Sequence, residues 1–584
     1  MKTSADLEQM LRDIDRKSYP AYKTLKGSYR FHTYILSIDH VQGDPFASPS
    51  RLTIRIDGKA AGFSEELWMT PDRMCAFCDF LLRRFEKAVL RYSFQAKGSG
   101  KSGAIFTTRC GQTVLRRTGC SMEGNTILMR FEAGFPANGR TINAKELRKI
   151  LFDYLPRCAS DALYKRNTDE KALTAAIELY EDQQALRRYL SAHDLCAFVA
   201  DGSVLPRTSG VSDTPLAHAV PFKSPASLSV TIPLPHRGSV NGMGIRRGIT
   251  LITGGGYHGK STLLKALEAG VYNHIAGDGR EFVVTDASAV KLRAEEGRSV
   301  RNVDISPFIN NLPGGKDTTC FSTVDASGST SQAAGVMEGI ESGSRLFLID
   351  EDTCATNFMV RDELMKRVIA PDKEPITPFL ARIRPLFTDL GISTILVVGS
   401  SGAFFQPADC VIQMDQYEAH DITERAHAEA ERFYQTGVLS DGQETTAEAE
   451  PGSSKAFSPS SETPFPSVRL SRSWKTGKNR HGSDFRPVKI RTQGTDGFSI
   501  DKEFVDLRYV EQLSDEEQVR ALGHLLLTFL EQPASDKPLA DRLTALYKQV
   551  TDDGLESVTN PSCPPFMAMP RLQELFACVN RFRG

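Results

Sequence analysis

A chain of 584 residues has room for about three or four domains. Its 40% hydrophobic and 24% charged residues are those of an ordinary soluble globular protein, and a net charge of −1 excludes a polycation, so any nucleic-acid surface must be local. Eleven cysteines without a repeating frame read as reduced intracellular thiols, and no run approaches the roughly 20 apolar residues of a membrane helix.

Met1–Arg16 carries Asp6, Glu8, Asp13 and Asp15, a pattern expected of neither a signal peptide nor a transit sequence. Strand-like alternation follows in 28–31, 34–38 and 51–56, with turn chemistry between the last two at Val41–Phe46. Thr70-Pro71-Asp72 opens a helix expected to run to about Arg91. Cys75 and Cys78 lie on that helix among Phe77 and Phe80, where core packing explains them better than zinc. Further strands are expected near 104–108 and 126–131, and helices near 143–155 and 168–196. Gly98–Gly103 imitates a phosphate loop but lacks its opening glycine and any following helix, and reads as a turn. Residues 1–205 therefore form an α+β region, with a Pro/Ser/Thr-rich boundary at 206–227.

The segment 254–262, Gly-Gly-Gly-Tyr-His-Gly-Lys-Ser-Thr, follows the apolar run Ile249–Thr253 and precedes the helical pattern Leu263–Leu267. This is a G-x-x-x-x-G-K-[ST] phosphate loop set between strand and helix. Gly254, Gly255, Gly256, Tyr257, His258, Gly259 and Thr262 would wrap their backbone around an oligophosphate. Lys260 would reach its terminal phosphates, and Ser261 would ligate Mg²⁺. Downstream, Leu346–Ile349 is an apolar strand ending in Asp350 and Glu351. Asp350 can hold the metal with Ser261, and Glu351 can orient or deprotonate the attacking water. Strand–helix alternation over 228–430 predicts a parallel α/β core, so the fold class is α/β.

The run Asp350-Glu351-Asp352-Thr353-Cys354-Ala355-Thr356-Asn357 resembles the Walker B and D-loop of ABC-class ATPases, and Ala326–Gln332 their signature loop, with Ser327 standing 23 positions before Asp350. Together with 303–313, 393–398, 39–46, 198–202 and 500–512, these runs resemble the stand-alone predicted ATPases of the ABC class over nearly the whole chain. That family has bacterial members and a kinetoplastid one associated with mitochondrial RNA editing, and the long insert here looks more like the latter. The resemblance implies a P-loop ATPase core with an α+β N-terminal domain and a mainly helical C-terminal region. It also implies a head-to-tail homodimer with ATP and Mg²⁺ as ligands, in which Ser327, Gly328 and Ser329 of one subunit cap the nucleotide of the other. RNA, RNA-processing factors and a mitochondrial matrix location come with the resemblance; without it, the expected location is cytoplasmic.

Several family features are missing. No histidine follows Val397-Val398, where Gly399-Ser400 stands instead. Asp304 and Ser306 sit in the interval of the Q-loop glutamine, and only Phe222 or Pro235-His236-Arg237 offers an adenine platform. Asp352 replaces a proline and Asn357 the D-loop aspartate. These changes bear on the rate of hydrolysis more than on binding.

Residues 431–468 form a Ser/Thr/Pro-rich insert expected to be disordered, and 469–584 a basic segment followed by a helical domain in which Ser514–Glu517 has capping-box spacing. Within the basic segment Arg472, Trp474, Lys475, Lys478 and Arg480 combine charge with an aromatic, a pattern that suits unpaired RNA. A solvated linker balancing the acidic stretch before it has the same composition. Three readings follow: an Mg-ATP-hydrolysing homodimer acting on or with RNA, an RNA-binding scaffold with ATP as a slow regulatory ligand, and a complex-assembly factor without RNA contact.

Overall fold

The computed structural model describes residues 1–583 other than 363–364, 366–367, 371–372, 436–463, 475–487, 534 and 560–562. In the N-terminal region a seven-stranded sheet runs in the order Lys2–Thr3, Gly27–Arg30, Ile35–His40, Ser50–Asp57, Thr126–Ala133, Ile105–Phe106, with Cys120–Glu123 also paired to Thr126–Ala133. The helix Pro71–Leu90 covers it. Thr70 Oγ1 accepts from the Arg73 N–H at 3.2 Å, and Pro71 at the first turn needs no amide partner. Its buried stripe of Phe77, Leu81, Leu82, Phe85 and Val89 repeats at helical spacing, each side chain stabilising the region by roughly 1.5–3 kcal/mol through burial. Cys78 is buried in this core, and Gly98–Gly103 is a turn pinned to it by the Ser99 N–H on the Ala137 carbonyl (2.7 Å).

The helix Glu170–Ala192 ends earlier than the sequence reading had it. His193 and Asp194, the latter at φ 56°, turn the chain into the strand Leu195–Ala200, six residues all buried. A short apolar run buried on both faces suits a central strand as well as a helix end, and here pairing decides. The strand joins a four-stranded antiparallel sheet, ordered Ser229–Leu234, Gly238–Arg246, Leu195–Ala200, Val283–Thr285. It therefore belongs by hydrogen bonding to the layer beside the core rather than to the N-terminal sheet.

The core sheet runs Val290–Leu292, Leu346–Asp350, Ser393–Val397, Ile249–Thr253, Cys410–Asp415, Glu418–Asp421; all neighbours are parallel except the last hairpin. Helices Lys260–Ala269, Gly328–Glu341 and Phe379–Leu390 accompany it. The C-terminal region sets a three-stranded sheet (Ile490–Thr492, Gly497–Ile500, Glu503–Asp506) against helices Glu516–Glu531, Leu539–Asp553 and Leu572–Arg581. Asp515, not Ser514, caps the first of these helices by accepting the Glu517 N–H at 2.8 Å, while Ser514 turns to Gln518. This region grips both others: buried Arg117 of the N-terminal region bonds Asp515 (2.6 Å) and Glu517 (2.8 Å), and Arg571 donates to the Ala287 and Ala289 carbonyls of the core.

Candidate nucleotide site

The apolar strand Ile249–Thr253 is buried between neighbours on both sides and delivers the glycine loop to the carboxyl edge of the sheet, where open α/β folds bind ligands. Two glycines are required by shape. Gly254 has φ 134° and its backbone lies so near Met414 that a Cβ would sit 2.2 Å from that carbonyl oxygen. Gly259 has φ 102° and opens the helix Lys260–Ala269. No side chain caps that helix, so its first N–H groups face the loop as an anion site. Gly255, Gly256 and Tyr257 are exposed around it, while His258, Lys260 and Thr262 are half-buried. Lys260 Nζ donates to the Gly254 and Gly255 carbonyls, both at 2.8 Å, which holds the ammonium in the mouth of the loop.

Ser261 and Asp350 line one cleft of about 880 Å³, walled on the far side by Arg508 and Glu511 of the C-terminal region. Burial raises the Asp350 carboxyl above its ordinary range, partly offset by the ammonium of Lys291. A hydroxyl and a desolvated carboxylate on one wall are hard oxygen donors of the kind Mg²⁺ takes. Ser327, Gly328 and Ser329 are not among the residues lining this cleft.

Glu351 is held by three donors. Its Oε2 accepts from the N–H groups of Gly399 (2.8 Å) and Ser400 (3.1 Å), and its Oε1 from Ser400 Oγ (3.1 Å). The loop that carries no histidine thus fixes the carboxylate instead.

The signature segment is tied to the loop after Glu351. Ser327 caps the helix Gly328–Glu341 and is exposed, but Ser329 is buried, its hydroxyl donating to Asn357 Oδ1 at 2.8 Å. With its hydroxyl turned to Asn357, what Ser329 has to offer at the helix N-terminus is its backbone N–H in the first turn. Gln332 Oε1 accepts from the Ala355 N–H (3.0 Å), and Ser331 Oγ accepts from the Glu295 N–H (2.8 Å).

Three further readings change. Asp304 and Ser306 do not stand at the nucleotide edge; Asp304 accepts from the N–H groups of Ser306 (3.1 Å) and Arg469 (2.9 Å). The turn leaving the edge strand beside Asp350 is Arg293–Glu296, and Arg293 bonds Glu511 and stacks 4.4 Å over Tyr509. Phe222 is buried. Pro235-His236-Arg237 sits on Glu181 and Asp182, beside Gln183, whose amide bonds the His274 carbonyl beyond the far end of the phosphate-loop helix. Neither can form a platform at the loop.

Arg472 and Trp474 are also corrected as RNA contacts. Arg472 is buried and forked onto Glu341 (2.6–3.0 Å), and Trp474 is buried beneath Arg301, 4.2 Å from its ring centre. They anchor a strap, 464–474, that also buries Phe465 against Phe308. Lys475, Lys478 and Arg480 lie outside the described residues.

Three family models match in succession: the N-terminal domain of ATPases of the ABC class over residues 4–166, the P-loop domain of that class over 169–450, and the MRB1590 C-terminal domain over 489–584. The chain is a stand-alone ATPase of the ABC class. Among curated proteins, the uncharacterized protein MJ1628 of Methanocaldococcus jannaschii is 34% identical over 198 residues, covering 32% of this chain and 43% of that protein. The match thus spans less than half of that relative. Among solved structures, cbiO1 of Clostridium perfringens, described as part of the ABC transporter complex cbiONQ, is 12% identical with TM-score 0.26, covering 42% of this chain and 96% of that one. Among the described residues of this ABC-class ATPase, no helix is long and apolar enough to cross a membrane.

Proposed function

We propose that this ABC-class ATPase binds Mg-ATP as a homodimer and hydrolyses it to ADP and phosphate in the course of work on or with RNA. The observation that carries the dimer is the separation of the half-sites. The phosphate loop follows the strand Ile249–Thr253, whereas the segment before Ser327 is bonded, through the Gly297 N–H on the Ala326 carbonyl, to the chain after the edge strand Val290–Leu292, with two strands between them, and exposed Ser327 presents a second helix N-terminus there. A second copy can bring that terminus to the γ-phosphate, and two copies complete two sites at once.

Each residue then has a role. Gly254–Gly259 and the helix N-terminus bind the phosphates, and Lys260 moves from the loop carbonyls to the terminal phosphates. Ser261 and Asp350 would hold Mg²⁺, whose positive charge would offset the negative charge on the phosphate oxygens. Glu351, aimed by Gly399 and Ser400, accepts the proton of the attacking water. Binding energy would reach the C-terminal region through Lys291 and Arg293, both paired with Glu511.

RNA as client, RNA-processing proteins as partners and the mitochondrial matrix as location rest on the resemblance and on the MRB1590 C-terminal match. In a second reading ATP is a slow regulatory ligand of an RNA-binding scaffold. It is favoured by Ser400 standing where the family has a histidine, since a hydroxyl relays a proton less readily near neutral pH.

Light scattering on the purified chain tests the dimer. With Mg-ATP the particle is expected at twice the 64.4 kDa of one chain, and Ser327→Arg is expected to keep it monomeric while ATP still binds. A wild type that stays monomeric at saturating Mg-ATP would sink the proposal. RNA-stimulated turnover separates the motor from the scaffold.

A further inference from the structure

Building on the nucleotide reading of the glycine loop, we infer that Tyr417 forms the aromatic platform on which the nucleobase rests. The strand order places it. Asp350 lies on one side of the phosphate-loop strand, so the metal and terminal phosphates lie towards that side. The rest of a bound nucleotide then extends over the opposite neighbour, the strand Cys410–Asp415, at the carboxyl edge. That strand ends in a two-residue hairpin turn, Gln416-Tyr417, before Glu418–Asp421.

The turn is built against backbone preference. Gln416 and Tyr417 both have positive φ, 48° and 72°, a conformation that hairpin turns normally assign to Asn-Gly or Gly-Gly. A bulky aromatic there is a strained choice, and such strain clusters at ligand sites. Tyr257 makes the same choice at φ 64° and is wholly exposed. Tyr417 is 48% exposed, and its ring edge lies 2.9 Å from where a Gly259 Cβ would stand. The hairpin is fastened to the loop: the Tyr417 N–H donates to the His258 carbonyl (3.1 Å) and the Gln416 N–H to His258 Nδ1 (3.0 Å). An aromatic face is thus held beside the glycine that opens the phosphate helix. The ligand class is a purine or pyrimidine nucleotide, read by stacking.

Calorimetric titration of the whole chain with Mg-ATP and with Mg-tripolyphosphate, which lacks a base, tests this. Wild type is expected to bind ATP about 10- to 100-fold more tightly than tripolyphosphate. Tyr417→Gly is expected to remove that advantage, to leave tripolyphosphate affinity unchanged, and not to lower the thermal midpoint, because glycine relieves the left-handed strain. Tyr417→Phe keeps the preference. Unchanged ATP affinity in Tyr417→Gly, equal losses for both ligands, or equal wild-type affinities would each overturn the platform. A wild type that binds neither ligand would overturn the phosphate-loop reading beneath it.

Discussion

Glu351→Gln is expected to keep ATP binding and stop turnover. The carboxylate accepts three hydrogen bonds, at 2.8 and 3.1 Å from the Gly399 and Ser400 N–H groups and at 3.1 Å from Ser400 Oγ. A glutamine leaves one oxygen for the two backbone donors and turns its amide towards the serine hydroxyl, which can reverse its role and accept. All three contacts survive, weakened from charge-assisted to neutral strength, a loss of about 1 kcal/mol apiece at most. The fold therefore stands, with a thermal midpoint only a few degrees lower. The chemistry does not. An amide cannot take the proton of water, and removing a positioned base costs about 10²–10⁴ in rate, or roughly 3–5 kcal/mol of barrier. Single-turnover phosphate release should fall at least about 100-fold, while the calorimetric Kd for Mg-ATP stays within about 3-fold. Ser400→Ala removes only the hydroxyl contact, keeps both backbone donors, and should slow release by about 5-fold. Wild-type release from Glu351→Gln, or a loss of affinity as large as the loss of rate, would refute the assignment.

Arg472→Ala is expected to lower stability by about 3–5 kcal/mol, because it strands Glu341 in the interior; denaturant titration measures this, and an unchanged midpoint would restore Arg472 as a surface contact. Burial, with Arg520 and Arg51 nearby, lowers the His524 pKa from 6.5 to about 4. The unfolded chain therefore takes a proton below pH 6.5 that the folded chain refuses until about pH 4, so stability is whole above 6.5 and falls as pH drops through that window. At pH 5 the loss amounts to about 2 kcal/mol, and His524→Gln should flatten the wild-type profile of unfolding midpoint by that amount.

The parts of this fold that the sequence spells out are the locally encoded ones. A strand, six glycine-loop positions and a helix are contiguous, so periodicity and φ requirements can be read without knowing any distant partner. Thr70 and Pro71 announce their helix in the same way. Asp515 shows the margin of error, since two adjacent acceptors compete for one cap and only the first-turn geometry selects between them. What escapes the sequence depends on long-range pairing. Tyr417 carries no turn signal, and its hairpin reaches the loop from 158 positions away, through Gln416 and His258. Arg472 and Trp474 give the same local pattern whether they face RNA or a core, and the deciding partner, Glu341, lies 131 positions upstream. Leu195 and Cys196 read as the apolar end of a helix until the strand Leu195–Ala200 finds its two partners.

The same long-range pairings show how a nucleotide could be felt outside its own site. The turn after the edge strand is stitched to both half-sites: the Ala294 N–H donates to the Thr353 carbonyl (3.1 Å) behind Glu351, and the Gly297 N–H to the Ala326 carbonyl (2.8 Å) beside the signature serine. In the edge strand itself, the Lys291 N–H donates to Gln512 Oε1 (3.0 Å), while Gln512 Nε2 reaches the Glu268 carbonyl on the phosphate-loop helix (3.3 Å). One glutamine of the C-terminal region thus spans the edge strand Val290–Leu292 and the phosphate-loop helix. Lys291 closes the circuit by pairing with both Glu268 and Glu511, and burial, which alone would lower its pKa, is outweighed by those carboxylates. A change in spacing between the phosphate-loop helix and the edge strand Val290–Leu292 would strain these contacts, because Gln512 and Lys291 are each shared between the two. The C-terminal region would then either follow the helix or let go of it.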